Sequence, residues 1–264
     1  VVQLLRHGGH EVTVEDSISA VGPGTHPAWV AAGRFFFRYR DALFPLVFLA
    51  ILLTSRARWP FHDRAWDWVL NAVGIAVALS GQVWRALVIG LAYIRRGGKD
   101  RQVYAESLVQ DGIFAHSRNP LYLGNLLGLI GLLIIHNSPA GYVIGVPFYL
   151  LAYWAIVCAE EDFLRRHFGQ EYVEYCRRVP RFFPTLKGLR TTLGSMRFDW
   201  RRLLRKEYGT TFTGLTAICL VLLWDDYQVL GTVHARGILM LWLPVTAAYL
   251  VILVLKKRGA LGKG

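Results

Sequence analysis

Apolar residues in this chain are gathered into long runs rather than spaced as on the half-buried helices of a soluble domain. A helix rises 1.5 Å per residue, so about 20 mostly apolar residues match a bilayer core of roughly 30 Å. Trp66–Ile94, Asn119–His136, Ala140–Cys158, Thr210–Trp224 with its flanks, and Ile238–Leu255 meet that requirement. Asp41–Thr54 is short. It reaches spanning length by recruiting Phe35, Phe36 and Phe37, in a segment where Arg34, Arg38 and Arg40 can snorkel towards headgroups. The pattern predicts an all-α, polytopic integral membrane protein with about six transmembrane helices.

Composition agrees. Of 264 residues, 54% are hydrophobic and 18% charged, against roughly 45–50% and about 25% in an average soluble domain. The apolar content excludes a disordered tail, aperiodic glycine excludes collagen, and three cysteines (Cys158, Cys176, Cys219) exclude a disulfide scaffold. Those cysteines lie within or near the inner ends of spans, where reduced thiols are expected.

A net charge of +12 could point to nucleic acid, but its distribution gives another meaning. With six spans and a cytoplasmic N-terminus, 25 of the 30 Lys and Arg fall in inner segments and four in outer loops. The remaining one, Arg85, lies inside the second span. This asymmetry is the positive-inside pattern and places both termini in the cytoplasm. The same charge gives the inner face an attraction for anionic phospholipid. No recognition motif or stacking platform accompanies the arginines, so no nucleic-acid partner is expected.

Val1–Pro27 is polar, with a Gly22-Pro23-Gly24 turn and no apolar stretch beside a cleavage site, and does not read as a signal peptide. His7-Gly8-Gly9-His10-Glu11 offers only a weak ligand pattern, and no metal site is expected.

Candidate chemistry gathers at the inner ends of the third and fourth spans. His136-Asn137-Ser138-Pro139 turns these spans into an antiparallel hairpin, bringing Arg118 and Glu160 to the same face. Gly124 with Gly128, and Gly141 with Gly145, have the small-xxx-small spacing that lets membrane helices approach. Asp111-Gly112 makes a turn and Pro120 suits a first helical position, so Arg118 sits on a junction whose free N–H groups favour an anion. Glu160 and Glu161 lie about 100° apart on a helix, so only one can point straight into the bundle. Phe168, Tyr172 and Tyr175 follow, with Gly169 breaking the helix among them. Arg85, with Gln82 one turn earlier, lies at membrane depth, where a charge must reach the pocket, pair with a carboxylate such as Glu160, or snorkel to the interface.

Gly112, then Arg118-Asn119-Pro120-Leu121-Tyr122-Leu123-Gly124, then Glu160-Glu161, then Phe168-Gly169-Gln170-Glu171-Tyr172 with Tyr175 and Arg178-Val179-Pro180 keep the order and spacing of a known pattern. Over roughly Trp66 to Pro184 the chain resembles the isoprenylcysteine carboxyl methyltransferase-like family, relatives of the membrane phospholipid methyltransferases. Family members commonly carry Arg-His-Pro where this chain has Arg118-Asn119-Pro120. Asparagine cannot take that histidine's acid, base or ligand roles, but it still donates and accepts hydrogen bonds.

The resemblance implies an S-adenosylmethionine pocket at the hairpin's cytoplasmic end and a lipid-like acceptor entering from the bilayer. The chain as a whole then divides into three expected regions: a cytoplasmic arm (1–34), a transmembrane core with the cofactor pocket (35–184), and, beyond the resemblance, a basic interfacial segment followed by two C-terminal helices (185–264). His116, Arg118, Asn119, Pro120, Tyr122, Leu123, Glu160, Tyr172 and Tyr175 are then the cofactor-binding candidates. Arg118, Glu160 and Glu161 are the catalytic candidates, and Gln82 and Arg85 those for the substrate. A cytosolic zwitterion needs an arginine or helix N-terminus, a carboxylate and an aromatic surface, and this rim supplies all three. Two other readings remain at this point: an NADPH-dependent sterol-type membrane reductase, which shares an Arg-x-Pro-x-Tyr segment, and a lipid-binding protein without activity.

Overall fold

A computed structural model of the chain describes residues 26–58, 64–91, 96–99, 102–105, 108–231, 233 and 235–261. The polar arm with His7 and His10 lies outside the described residues. Long helices dominate: α1 (Pro27–Thr54), α2 (Arg64–Leu91), α3 (Pro120–His136), α4 (Val146–Phe168), α7 (Trp200–Leu230) and α8 (Ala235–Lys257). Between them lie an antiparallel hairpin of β1 (Arg96–Lys99) and β2 (Gln102–Ala105), a π-helical turn Gly141–Gly145, and the short helices α5 (Gln170–Arg178) and α6 (Leu189–Ser195). Among the described residues, four stretches are long and apolar enough to cross a membrane: Ala65–Leu91, Gly141–Phe168, Trp200–Leu230 and Ala235–Lys257. Pro120–His136 is apolar but shorter. Helix α1 carries Arg34, Arg38 and Arg40 in its first half, with Asp41 directly after them, and starts within the stretch expected to form the cytoplasmic arm.

Two helix pairs form the frame. A Cβ on Gly33 of α1 would collide with the Ala155 carbonyl of α4. Further along this pair, Tyr149 donates to the Phe44 carbonyl at 2.8 Å, and Phe44 meets the rings of Tyr149 and Tyr153 edge-on at 5.4 and 5.2 Å. Helices α2 and α3 touch through backbone: a Cβ on Gly81 would lie 2.5 Å from Gly124 O, and one on Gly131 would lie 2.5 Å from Gly74 O. Thus Gly124 serves the α2–α3 contact rather than the α3–α4 hairpin. Gly141 and Gly145 rest beside Leu133, and Gly128 has no neighbour within 4 Å of a built Cβ.

Helix α7 leans on α2 and α3, while α8 packs on α7 by stacking Tyr249 on Phe212 at 4.2 Å and on Tyr208 at 5.5 Å. The helix ends beside the α3–α4 turn are knotted together. Buried His136 meets Asp225 at 2.8 Å and Ser55 at 3.0 Å, and Trp224 donates to Leu52 O at 2.9 Å. This explains why the polar Asp225-Asp226-Tyr227, just past the apolar run that ends at Trp224, is still helical: Asp225 finds a partner inside the bundle, and the turn is deferred to Gly231 at φ +66°. The basic run 197–206, expected as an interfacial stretch, divides similarly. Asp199 caps α7 by accepting from Arg202 N at 2.9 Å, so the run's second half continues into the long helix.

Candidate active site

The rim at the start of α3 is built by sewing two loops together. Gly112, at φ +65°, turns the chain into a short 3-10 helix (Gly112–Ala115) that buries Ile113 and Phe114. Residues 116–119 then run beside 180–185. Arg118 N donates to Pro180 O at 2.9 Å, Ser117 Oγ to Phe182 O at 2.7 Å, Asn119 Nδ2 to Arg181 O at 3.1 Å, and Thr185 N to His116 O at 3.0 Å. The His116 ring is buried between Thr185 O and Thr192 Oγ1, each at 2.9 Å. Pro120 opens α3, as expected from its missing N–H.

The two consecutive glutamates diverge. Glu161, 1% exposed, takes Arg118 at 3.0 Å and Arg181 at 3.1 and 2.5 Å. Burial by itself would lower the Arg118 pKa, but the Glu161 carboxylate, with Cys176 and Tyr172 behind it, holds that guanidinium above its ordinary value. Arg118 also donates to Cys176 Sγ at 2.8 Å. Burial, reinforced by the Glu161 charge, pushes the Tyr172 hydroxyl up, so it stays protonated. Tyr175 is buried and donates to Phe114 O at 2.7 Å.

Glu160 turns the other way. It accepts from Tyr122 Oη at 2.7 Å, and Tyr122 accepts from Arg40 at 3.2 Å. The Arg40 guanidinium lies over the Phe37 ring at 4.3 Å. This group lines a cavity of about 850 Å³ enclosed by α1, α2, α3, α4 and α7. Among the residues predicted from sequence, Gln82, Arg85, Asn119, Pro120, Tyr122 and Glu160 line it. His116, Arg118, Leu123, Glu161, Tyr172 and Tyr175 do not line it. All of these but Leu123 form the packed and ion-paired layer beside it.

Arg85 is paired across the bundle rather than with Glu160. It donates to Glu207 of α7 at 3.0 and 2.7 Å and to Asn125 Oδ1, and Gln82 donates to Thr211 Oγ1 at 2.6 Å. Glu207 is buried. Sequence reasoning found no chemistry in α7 and missed Glu207, Arg40 and Arg181. The available signal was Glu207's place as the lone carboxylate after Arg201, Arg202, Arg205 and Lys206, at a depth matching a buried arginine that required one. Among the described residues no group of three or more His, Cys, Asp or Glu is placed to hold a metal ion.

Residues 69–171 match the family model described as phospholipid methyltransferase. The chain is similar to the cobalt-zinc-cadmium resistance protein CzcN of Cupriavidus metallidurans, 34% identical over 177 residues, which are 64% of this chain and 74% of that protein. It is 30% identical over 164 residues to the nickel-cobalt-cadmium resistance protein NccN of Alcaligenes xylosoxydans xylosoxydans, covering 60% of this chain and 70% of that protein. Similarity to the human protein-S-isoprenylcysteine O-methyltransferase is 35% over 142 residues, 51% of this chain and 48% of that protein. No solved structure matches the chain.

Proposed function

This chain belongs to the isoprenylcysteine carboxyl methyltransferase-like family of membrane methyltransferases, and from that premise we propose that it is an S-adenosylmethionine-dependent enzyme methylating a lipid-like acceptor in the cavity between α1, α2, α3, α4 and α7. The observation that carries this reading is that Glu160, Tyr122 and Asn119 face one cavity of about 850 Å³ at the N-terminus of α3. The residue set fits the methyl donor: a helix N-terminus and Arg40 for a carboxylate, Glu160 for an ammonium or ribose, and the Tyr122 and Phe114 rings for a base. When bound, the donor supplies an electrophilic methyl on a sulfonium.

The protein's part is alignment and exclusion of water. Tyr122 fixes the Glu160 carboxylate by donating to it, and Arg40 fixes Tyr122. For an amine acceptor, Glu160 is the group positioned to take the proton that methylation releases. Arg118 and Glu161 act from behind: their pair, completed by Arg181, holds the 116–119 loop and hence the start of α3. The inner rim faces the cytoplasm in this reading, because the basic residues concentrate there. Exposed Phe183, Leu186 and Trp200, with Lys187, Arg190 and Arg197 nearby, suit contact with anionic phospholipid.

Calorimetry on the detergent-purified protein tests this. S-adenosylhomocysteine binds and NADPH does not, and Arg118→Ala weakens the binding; NADPH binding alone, or no binding of S-adenosylhomocysteine, overturns the reading.

A further inference from the structure

Three glycines on the cavity wall answer no need of the protein's own packing. Gly128 of α3 and Gly209 and Gly214 of α7 all line the cavity. A Cβ built at Gly128 or Gly209 would meet nothing within 4 Å, and at Gly214 only Gln82 Oε1 at 3.9 Å. Each lies inside a helix, where glycine costs about 1 kcal/mol relative to alanine. The contrast is with Gly33, Gly74, Gly81 and Gly131, where a neighbouring backbone leaves no room for a side chain. The space left at 128, 209 and 214 opens into the cavity.

Between Gly209 and Gly214 the wall is hydroxylic. Thr210, Thr211 and Thr213 line the cavity, Thr211 is engaged by Gln82, and Thr210 and Thr213 are exposed towards it. The charge on this side is compensated, since Arg85 gives two hydrogen bonds to Glu207 and a third to Asn125. Among the described residues of α2, α3 and α7 that line the cavity, Arg85 is the one cation and it is already engaged, so an uncharged hydrogen-bonding group is the better match to the hydroxyls of this wall.

Helices α1 and α7 are tied by hydrogen bonds at one end of the bundle. Their outer ends are joined by Trp224 to Leu52 O at 2.9 Å and by Gln228 to Ser55 O at 3.2 Å. Nearer the inner end, Asp41 and Pro45 of α1 and Thr210 and Thr213 of α7 all line the cavity, and the Asp41 side chain is 95% exposed. Helix α7 also lies outside residues 69–171, the segment shared with the phospholipid methyltransferase model.

Resting on the reading of this cavity as the methyl-transfer site, we infer that α7 builds its acceptor subsite. Gly128, Gly209 and Gly214 form a slot for a membrane lipid entering between α1 and α7. Thr210 and Thr213 hold that lipid's polar end, which is uncharged and hydrogen-bonding rather than a carboxylate or phosphate.

The test uses the full chain in nanodiscs and two photo-crosslinking probes with the same diazirine-bearing tail, a diacylglycerol and a phosphatidic acid. The diacylglycerol labels α7 between residues 209 and 218 and α3 between 125 and 132, and the phosphatidic acid labels them far less. Gly128→Leu and Gly214→Leu, which fill the slot, each cut this labelling about tenfold, the scale of a misfit of between one and two kcal/mol. Binding of S-adenosylhomocysteine is unchanged in both. The near-isosteric Thr210→Val/Thr213→Val double variant, which leaves the packing intact, lowers labelling by the diacylglycerol. Equal labelling by the two probes, labelling elsewhere on the chain, or undiminished labelling in the glycine and threonine variants overturns the inference. Loss of S-adenosylhomocysteine binding by the unmodified protein strikes the cofactor reading instead and is scored separately from the labelling.

Discussion

Arg118 and Glu161 meet at 3.0 Å in a layer where Glu161 is 1% exposed, one residue away from a carboxylate that faces the cavity. Consecutive residues on a helix diverge by about 100°, and here that angle separates two jobs. Glu161 closes an ion-paired clamp with Arg118 and Arg181, and Glu160 is left to the cavity with Tyr122.

Glu161→Gln removes the clamp's only carboxylate and leaves two guanidiniums facing a neutral amide. Breaking a buried ion pair from one side costs about 3–5 kcal/mol. The expected outcome is a marked fall in folded yield and thermal midpoint in detergent, measured by fluorescence-detected size exclusion; an unchanged midpoint removes Glu161 from the fold's supports.

Glu160→Gln and Tyr122→Phe have the opposite profile. Both change the cavity without breaking the clamp, so folded yield is retained. A hydrogen bond to a charged group is worth about 1.5–3 kcal/mol, so affinity for S-adenosylhomocysteine falls at least about tenfold. Titration calorimetry on both variants decides this, and wild-type affinity in both moves the donor site elsewhere.

Apolar run lengths exposed the long helices, and Gly169 and Pro120 marked a helix end and a helix start that the structure reproduces. Partners were not legible in the same way. Arg85 was visible as a charge needing compensation, but Glu207 lies 122 residues later, and only the bundle's packing brings them together. The glycine spacing pointed to close approach, which Gly124 makes and Gly128 does not, but it could not name α2 as the neighbour of Gly124, because a small-xxx-small pattern states that a helix has a smooth face and not which helix lies on it. Run length likewise ended the seventh helix too early: Asp225 looked like loop because its compensating His136 is on another helix.

Gly74→Val tests the α2–α3 seam. A Cβ there would lie 2.7 Å from Ile135 Cγ1 and 2.8 Å from Gly131 O, and overpacking of this kind costs about 1–3 kcal/mol. Gly128→Ala, where a Cβ meets nothing and alanine is the better helix former, is the control and keeps or raises the wild-type thermal midpoint. Equal midpoints for the two variants contradict the seam.

Asp199 gives a pH signature. The Arg202 backbone N–H and nearby arginines hold its carboxyl below the usual aspartate value. A group depressed in the folded state contributes stability above its unfolded pKa, about 3.9, and loses it as pH falls through the lower folded value. Asp199→Asn keeps a cap but not the charge, so the variants' thermal midpoints differ at neutral pH and converge under acid conditions. A gap that persists unchanged in acid assigns the effect to something other than the carboxylate.

The Arg85–Glu207 pair can be asked whether it serves the fold or the cavity. Its side chains are 13% and 5% exposed and it joins α2 to α7, so either Arg85→Glu or Glu207→Arg alone places like charges together at membrane depth. Both singles lose folded yield, and the exchange Arg85→Glu/Glu207→Arg regains most of it, with a coupling of about 0.5–3 kcal/mol in the double-mutant cycle. Rescue of the fold does not restore the cavity wall, because Arg85 itself lines the cavity and Glu207 stands behind it. The exchanged protein therefore binds S-adenosylhomocysteine as the unmodified one does, but transfers methyl groups with a raised KM for the acceptor. If the exchange restores acceptor KM along with folding, the pair is structural only, and the substrate role predicted for Arg85 fails.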